Sequence, residues 1–386
     1  MRSVYLDYAA TTPLDPEVFD VMKKYFLEIF GNASSIHKYG QSARASLEES
    51  RMKIASLITA KPGELFFVSG GTEADNFAIK GAAMHAAKSG KNHIITSEIE
   101  HHAVLDCCKY LEEKGFEVTY LKVDKSGILN PHQVEEAIKP NTGLISIMFV
   151  NNELGIINPI KEISEITRKY KIIFHTDAVQ ALGKVEINVE ELNVDLLSLS
   201  AHKIYGPKGI GAIYIKSGTD LEKLIHGGGQ ERGKRAGTEN VPLAVGFAKA
   251  AENVIKNLTS ENQRLSNLKS YFQRKISDLF PFVLFNGSDS KCVPHILNVS
   301  FNSSKINIDG EALLLNLDLE GVAVSSGSAC TSGSLQPSHV ILGIGRDLET
   351  AKATIRFSFG KYTNSDDLDY TLEVLQKVVK RIGKIL

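Results

Sequence analysis

Between about residues 65 and 215, short uninterrupted apolar runs alternate with longer stretches whose apolar positions recur every three or four residues. The runs predict strands at 65–68 (LFFV), 93–97 (HIITS), 117–123 (EVTYLKV), 144–150 (LISIMFV), 171–177 (KIIFHTD), 195–200 (DLLSLS) and 211–215 (GAIYI). Strands apolar on both faces are strands covered on both faces. Segments such as KEISEITRKYK (161–171), with Ile163, Ile166 and Tyr170 on one side, predict the covering helices. The expected architecture is α/β, with a mostly parallel sheet whose function collects at the carboxyl ends of its strands.

Further along, 242–280 reads as one long helix able to join two domains. HILNVSF (295–301), DGEALLLNLDLEG (309–321), VAVSS (322–326), TIRFSF (354–359) and a final helix from about 365 predict a smaller α+β domain. The basic end, KVVKRIGKIL, reads as one face of a solvated helix.

Composition excludes several function classes. The 44 basic and 45 acidic side chains leave a net charge of −1, which argues against bulk nucleic-acid binding and a membrane-surface role. No apolar run approaches the roughly 18 residues of a membrane span. The opening MRSVYLDYAATTP lacks the apolar core of a signal peptide. The spacings of Cys107, Cys108, Cys292 and Cys330 match neither a disulfide framework nor a zinc template. The expectation is a cytoplasmic enzyme with reduced thiols and no metal site.

Several strand ends carry residues with chemical potential. In SGGTEADN (69–76), Gly70 and Gly71 permit a tight turn before a helix opens at Thr72 and Glu73. Free N–H groups there, with a hydroxyl, make either an anion site or an ordinary capped turn. Asp177 ends the run 171–177, where a carboxylate needs a cation or donors; a protonated pyridine nitrogen would serve, and so would a structural ion pair. Ser200 ends the run 195–200, and His202 and Lys203 follow it. A lysine so placed is either a surface cation or a desolvated Schiff-base nucleophile. His101 in SEIEHHAVL has the flat ring needed to stack on a planar cofactor, or is simply solvated. Asn152 in FVNNELG ends a strand in the same way, within reach of a ring hydroxyl. In HGGGQERGKRAGTEN (226–240), glycines, three cations and Thr238 suggest a further phosphate contact. Together, a phosphate cradle, a strand-end Asp, a strand-end Lys and a stacking His describe a pyridoxal 5′-phosphate site.

YLDYAATTPLDP, GNASSIHKYG, SGGTEADN, EHHAVL, VNNELG, DAVQ, SAHKIYGPKGIG, HGGGQERGKRAGT and SSGSACTS, in this order over essentially the whole chain, resemble the NifS/IscS-type cysteine desulfurases. These are fold type I pyridoxal-phosphate transferases. The resemblance implies a large domain (12–255) with a seven-stranded sheet and a small domain (1–11 and 256–386) that carries a mobile cysteine loop at about 325–340. It implies that Lys203 bears the cofactor, Asp177 faces the pyridine nitrogen, Gln180 the ring hydroxyl, and His101 stacks on the ring. Gly71, Thr72, Ser200 and His202 would hold the phosphate, and Thr238 would reach the phosphate of a second subunit in a homodimer. Asn152 and Arg356 would orient the substrate, Arg356 by pairing with its carboxylate. Gly71 stands where the family often has alanine.

The expected activity is conversion of L-cysteine to alanine, with sulfur passing to Cys330 and then to an acceptor protein for iron–sulfur assembly or tRNA thiolation. Cys330 sits in SSGSACTSGS, among small side chains, with Gly327 and Gly333 on either side to give it swing. His101 is a candidate acid–base partner. Cys107, Cys108 and Cys292 carry no assigned chemistry. A selenocysteine lyase, another transaminase-like enzyme or a non-enzymatic sulfur-relay subunit are the alternatives.

Overall fold

In the computed structural model, which describes residues 2–288, 290–327 and 336–385, the apolar runs form one mixed sheet. Its strands lie in the order Leu65–Val68, Gly211–Ile215, Leu196–Ser200, Ile173–Asp177, Thr142–Ser146, His93–Ser97 and Glu117–Leu121. Gly211–Ile215 runs antiparallel to both neighbours. The other six are parallel to one another, so all their carboxyl ends point to one edge. Helices cover both faces, as strands without a polar side require. Phe67, Ile145, Phe174 and Leu197 belong to one apolar layer, and Phe66, Ile94, Leu144 and Ile213 to the other.

A second core brings Val4 and Leu6 together with Leu265, Phe272, Val299, Phe357 and Leu375. Its antiparallel sheet orders Thr354–Ser358, Ile296–Phe301 and Val283–Asn286. Val4–Tyr5 pairs with Val322–Ala323. The chain therefore begins in the second core and then crosses toward the large sheet.

The strands expected at 117–123 and 144–150 are Glu117–Leu121 and Thr142–Ser146, and three further sequence expectations change. The single helix expected over 242–280 is two, Val241–Lys256 and Leu258–Leu279, because Asn257 leaves helical geometry between them. Asparagine competes for backbone hydrogen bonds and favours such a break. The helix Ile160–Lys169 buries Ile160, Ile163, Ser164 and Thr167, so its inner face is rotated from the one expected, and Tyr170 is exposed. The strand expected over 322–326 is only Val322–Ala323. The basic end does form a solvated face: Val378 and Val379 are buried while Lys377, Lys380 and Arg381 are exposed. Among the described residues no helix is long and apolar enough to cross a membrane.

The glycine-rich loop 226–240 is fastened to the sheet by buried charge. The Arg51 guanidinium donates to both Glu231 carboxylate oxygens, at 2.6 and 2.8 Å, and to the Leu65 carbonyl. Glu231 also accepts from the Phe67 N–H. Both side chains are almost wholly buried. Removing one partner of such a pair strands the other charge in the core. Glu231→Ala is therefore expected to lower the unfolding free energy by roughly 3–5 kcal/mol in urea denaturation, and a loss under about 1 kcal/mol would contradict this reading of the pair.

Candidate active site

The carboxyl edge of the sheet opens on a cavity of about 720 Å³. Gly71, Thr72, His101, Asn152, Asp177, Gln180, His202, Lys203 and Arg356 line it, all of them singled out from the sequence. They lie at or beyond the carboxyl ends of five of the parallel strands, except Arg356, which stands on Thr354–Ser358 of the smaller sheet. The cavity thus lies where the two cores meet.

Lys203 is the most constrained of these residues. Its Nζ donates to the Ala9 and Ala10 carbonyls, 2.7 Å each. Burial pushes the amine down to about 8; the nearby Arg356 charge acts in the same direction, and Asp177 and Asp7 oppose it. Asp177 accepts from the Val179 N–H at 2.9 Å, and burial raises its carboxyl to about 6 against the pull of that N–H and of Lys203. Behind it, Asp75 and Glu100 are held well above the usual carboxylate range, chiefly by burial. Of these three neighbouring carboxyls, Asp177 is the one that the Lys203 charge and a backbone N–H both pull back toward ionisation. Proton sharing of this kind is expected where like charges crowd a dry site.

Two imidazoles are neutral here. His101 caps the helix His102–Glu112, its Nδ1 accepting from the Ala103 N–H, which places the ring proton on Nε2. Its exposed edge lines the cavity, while protein packed on its other sides and the Lys203 charge push it down to about 4. His202 Nδ1 lies 3.1 Å from Thr11 Oγ1, and burial pushes it to about 4 as well. Gln180 donates to the Ala9 carbonyl. Gly71 opens the helix Gly71–Ala87, whose N-terminus has no side-chain cap. A Cβ at 71 would stand 2.8 Å from Val179 Cγ2, so glycine here goes with valine at 179.

Arg356, almost fully buried, donates from Nη1 to the Asn152 carbonyl and from Nη2 to Asp7, both at 2.9 Å. Its Nε, the Asn152 Oδ1 and the Ser200 Oγ are buried without a hydrogen-bond partner. Buried polar atoms are usually paired, with protein, water, an ion or a ligand.

Thr238 is not gathered into this cavity. It is exposed and lines a separate cleft with Ser69, Gly209 and Glu239. Two of the loop's three cations serve structure rather than a ligand: Arg235 pairs with both Glu73 oxygens, and Arg232 with Glu48 and the Pro62 carbonyl. Cys330 lies outside the described residues, as does Gly333. The nearest described residues on either side, Gly327 and Gln336, both line the cavity. Gly327 is a tight contact rather than a swivel, because a Cβ there would meet Glu153 Oε2 at 2.4 Å. Cys107 and Cys108 are buried, and burial raises the Cys107 thiol to about 12.

The sequence reading missed Asp7, Ala9, Ala10, Thr11 and Asp75. All lie in stretches noted for their pattern, but their parts depend on contacts across the fold.

The Aminotransferase class-V family model matches residues 4–371. The chain is 52% identical to "Cysteine desulfurase IscS" of Dictyoglomus turgidum over all of its own length and 96% of that protein's. It is 46% identical to the human "Cysteine desulfurase", over 100% of this chain and 83% of the relative. Among solved structures it is similar to a "NIFS-like protein" (TM-score 0.92, 36% identity, 99% of this chain and all of that one). It is also similar to "SspA in complex with cysteine" (TM-score 0.82, 39% identity, 94% and 100%).

The depressed Lys203 amine has a direct readout. In protein stripped of bound small molecules, labelling of Lys203 by an amine-selective ester should rise with a midpoint near pH 8, because only the neutral amine reacts. Asp177→Asn removes a charge that favours the ammonium and should move the midpoint lower. A midpoint at the ordinary lysine value would overturn the assignment.

Proposed function

The chain belongs to the cysteine desulfurases of the class-V aminotransferase family, and we propose that it binds pyridoxal 5′-phosphate in the 720 Å³ cavity, takes sulfur from L-cysteine onto Cys330 and yields alanine. The observation that carries this reading is the meeting of Lys203, Asp177, His101 and Arg356 in one cavity.

The residues present fit the cofactor. Ser200 Oγ has no partner, and the uncapped N-terminus at Gly71 and Thr72, with His202 beside it, offers donors to a phosphate. Asp177, pulled toward ionisation by the Lys203 charge and a backbone N–H, suits a protonated pyridine nitrogen, and the neutral His101 ring suits stacking. Gln180 is placed for the ring hydroxyl. When bound, the cofactor supplies an electron sink for the substrate's α-carbon.

The chain's own groups do the rest. Lys203 holds the cofactor through Nζ and, when free, takes the α-proton there; an amine titrating near 8 is matched to that work. Arg356 meets the substrate carboxylate, with its unpartnered Nε as one donor, and Asn152 Oδ1 accepts a donor beside it. His101 carries its proton on Nε2, so it enters as a donor. The Cys330 thiolate attacks the substrate sulfur, the carbon–sulfur bond breaks, and a persulfide stays on Cys330 while alanine leaves. The sulfur then passes to an acceptor protein, of which an iron–sulfur scaffold is one class.

The chain acts as a homodimer in this account. Thr238 is exposed and outside its own cavity, free to reach the phosphate of a second subunit. Phe26, Leu27, Phe30 and Ile36, 54%, 78%, 66% and 89% exposed, give a second copy apolar surface to cover. Most of two cores divides along domains at 12–255 and at 1–11 with 256–386, although Ala9, Val293 and Ile296 pack in the first core and a further cluster joins Ile99 and Leu154 to Val340 and Ile341. The compartment proposed is the cytoplasm.

Cys330→Ser separates this reading from a transaminase. The variant should keep cofactor absorbance and the spectral response to L-cysteine, but lose alanine formation by roughly 10³-fold or more, as removal of a nucleophile does. Mass spectrometry should find one added sulfur on the Cys330 peptide of the unaltered protein only. An unchanged rate in the variant would refute the role of Cys330.

A further inference from the structure

Glu153, in the stretch VNNELG, has no part in the chemistry above, yet it is a fully buried carboxyl beside the cavity. Its Oε2 accepts from the Ser338 hydroxyl at 2.5 Å. The same Ser338 oxygen accepts from the Val340 and Ile341 N–H groups and so caps the helix His339–Gly343. One hydroxyl thus both fixes that helix start and ties it to Glu153. The other flank of the cysteine segment touches the same carboxyl. The Gly327 backbone, at φ +141°, packs so close that any side chain would sit 2.4 Å from Oε2. Just before it, Ser325 pairs with the backbone of Arg356. The next residue before Glu153 is Asn152, whose carbonyl holds the Arg356 guanidinium.

We infer that Glu153 is a positioning residue: a single buried carboxyl clamps Gly327 and Ser338, the two flanks of the segment bearing Cys330, to the floor that holds the substrate carboxylate. Two flanks fixed to one point beside Arg356 set the distance that the thiol must cover. Burial holds the Glu153 carboxyl above its ordinary range, although Ser338 and Arg356 pull the other way. Glutamine keeps a side-chain oxygen of the same reach to accept from Ser338, and alanine does not.

The inference rests on Cys330 being the sulfur acceptor, so the test reads substrate binding and sulfur transfer separately. With cofactor-loaded protein, Glu153→Ala should keep the affinity for L-cysteine seen in the spectral response. Its single-turnover rate of persulfide formation on Cys330 should fall about tenfold or more, the scale of an ångström-size misplacement. Glu153→Gln should recover most of that rate. Equal persulfide rates in all three proteins would overturn the inference, as would a loss confined to L-cysteine affinity. Should Glu153→Ala fail to fold, Ser338→Ala and Gly327→Ala decide instead. Each must slow persulfide formation with L-cysteine affinity intact, and a normal rate in either overturns the clamp. Cys330→Ser run beside them keeps the two readings apart: full sulfur transfer in that variant refutes the role of Cys330, whatever the Glu153 variants do.

Discussion

The site depends on keeping one amine dry. Lys203 is held by two backbone carbonyls rather than by a carboxylate, so nothing in direct contact locks it as a cation. Burial and the Arg356 charge then push it down to about 8, near working pH. The carboxylate that favours the ammonium, Asp177, is itself raised to about 6 by burial. Desolvation therefore brings an acid and a base within about two units of one another, where water would hold them more than six apart.

This arrangement requires both cores. The parallel sheet delivers Asp177, Lys203, His101 and the Gly71 helix start to one edge. The carbonyls of Ala9 and Ala10 come from the chain's beginning, which is pinned by Val4 and Leu6 in the second core. Arg356 comes from that core's sheet and is oriented by Asp7 and the Asn152 carbonyl. A shift of one core against the other would change the Lys203 and Arg356 contacts together. The same junction holds Glu153, so Lys203, Arg356 and both flanks of the cysteine segment share one frame.

Much of this was legible in the sequence. Strands 65–68, 93–97 and 211–215 have the bounds expected, because uninterrupted apolar runs flanked by turn residues admit few other readings. Strand-end placement brought out Asp177, Lys203, His101 and Asn152. What stayed hidden depends on contacts distant in sequence. Asp7 meets Arg356 across 349 positions, and no local pattern marks that pairing. The cations of 226–240 looked like phosphate ligands, but Arg232 and Arg235 have carboxylates waiting elsewhere in the fold. Gly327 looked like a source of motion and is a close-packed contact with Glu153. Asn257 divided a helix that periodicity alone would continue.

The central claim is that the buried, carbonyl-held Lys203 amine is the group that carries the cofactor. Borohydride reduction of the cofactor-saturated protein, followed by peptide mass mapping, tests it most directly. One pyridoxyl group per chain is expected, fixed to the peptide containing Lys203. Bound cofactor that reduction leaves unattached, or attaches to another lysine, would contradict it.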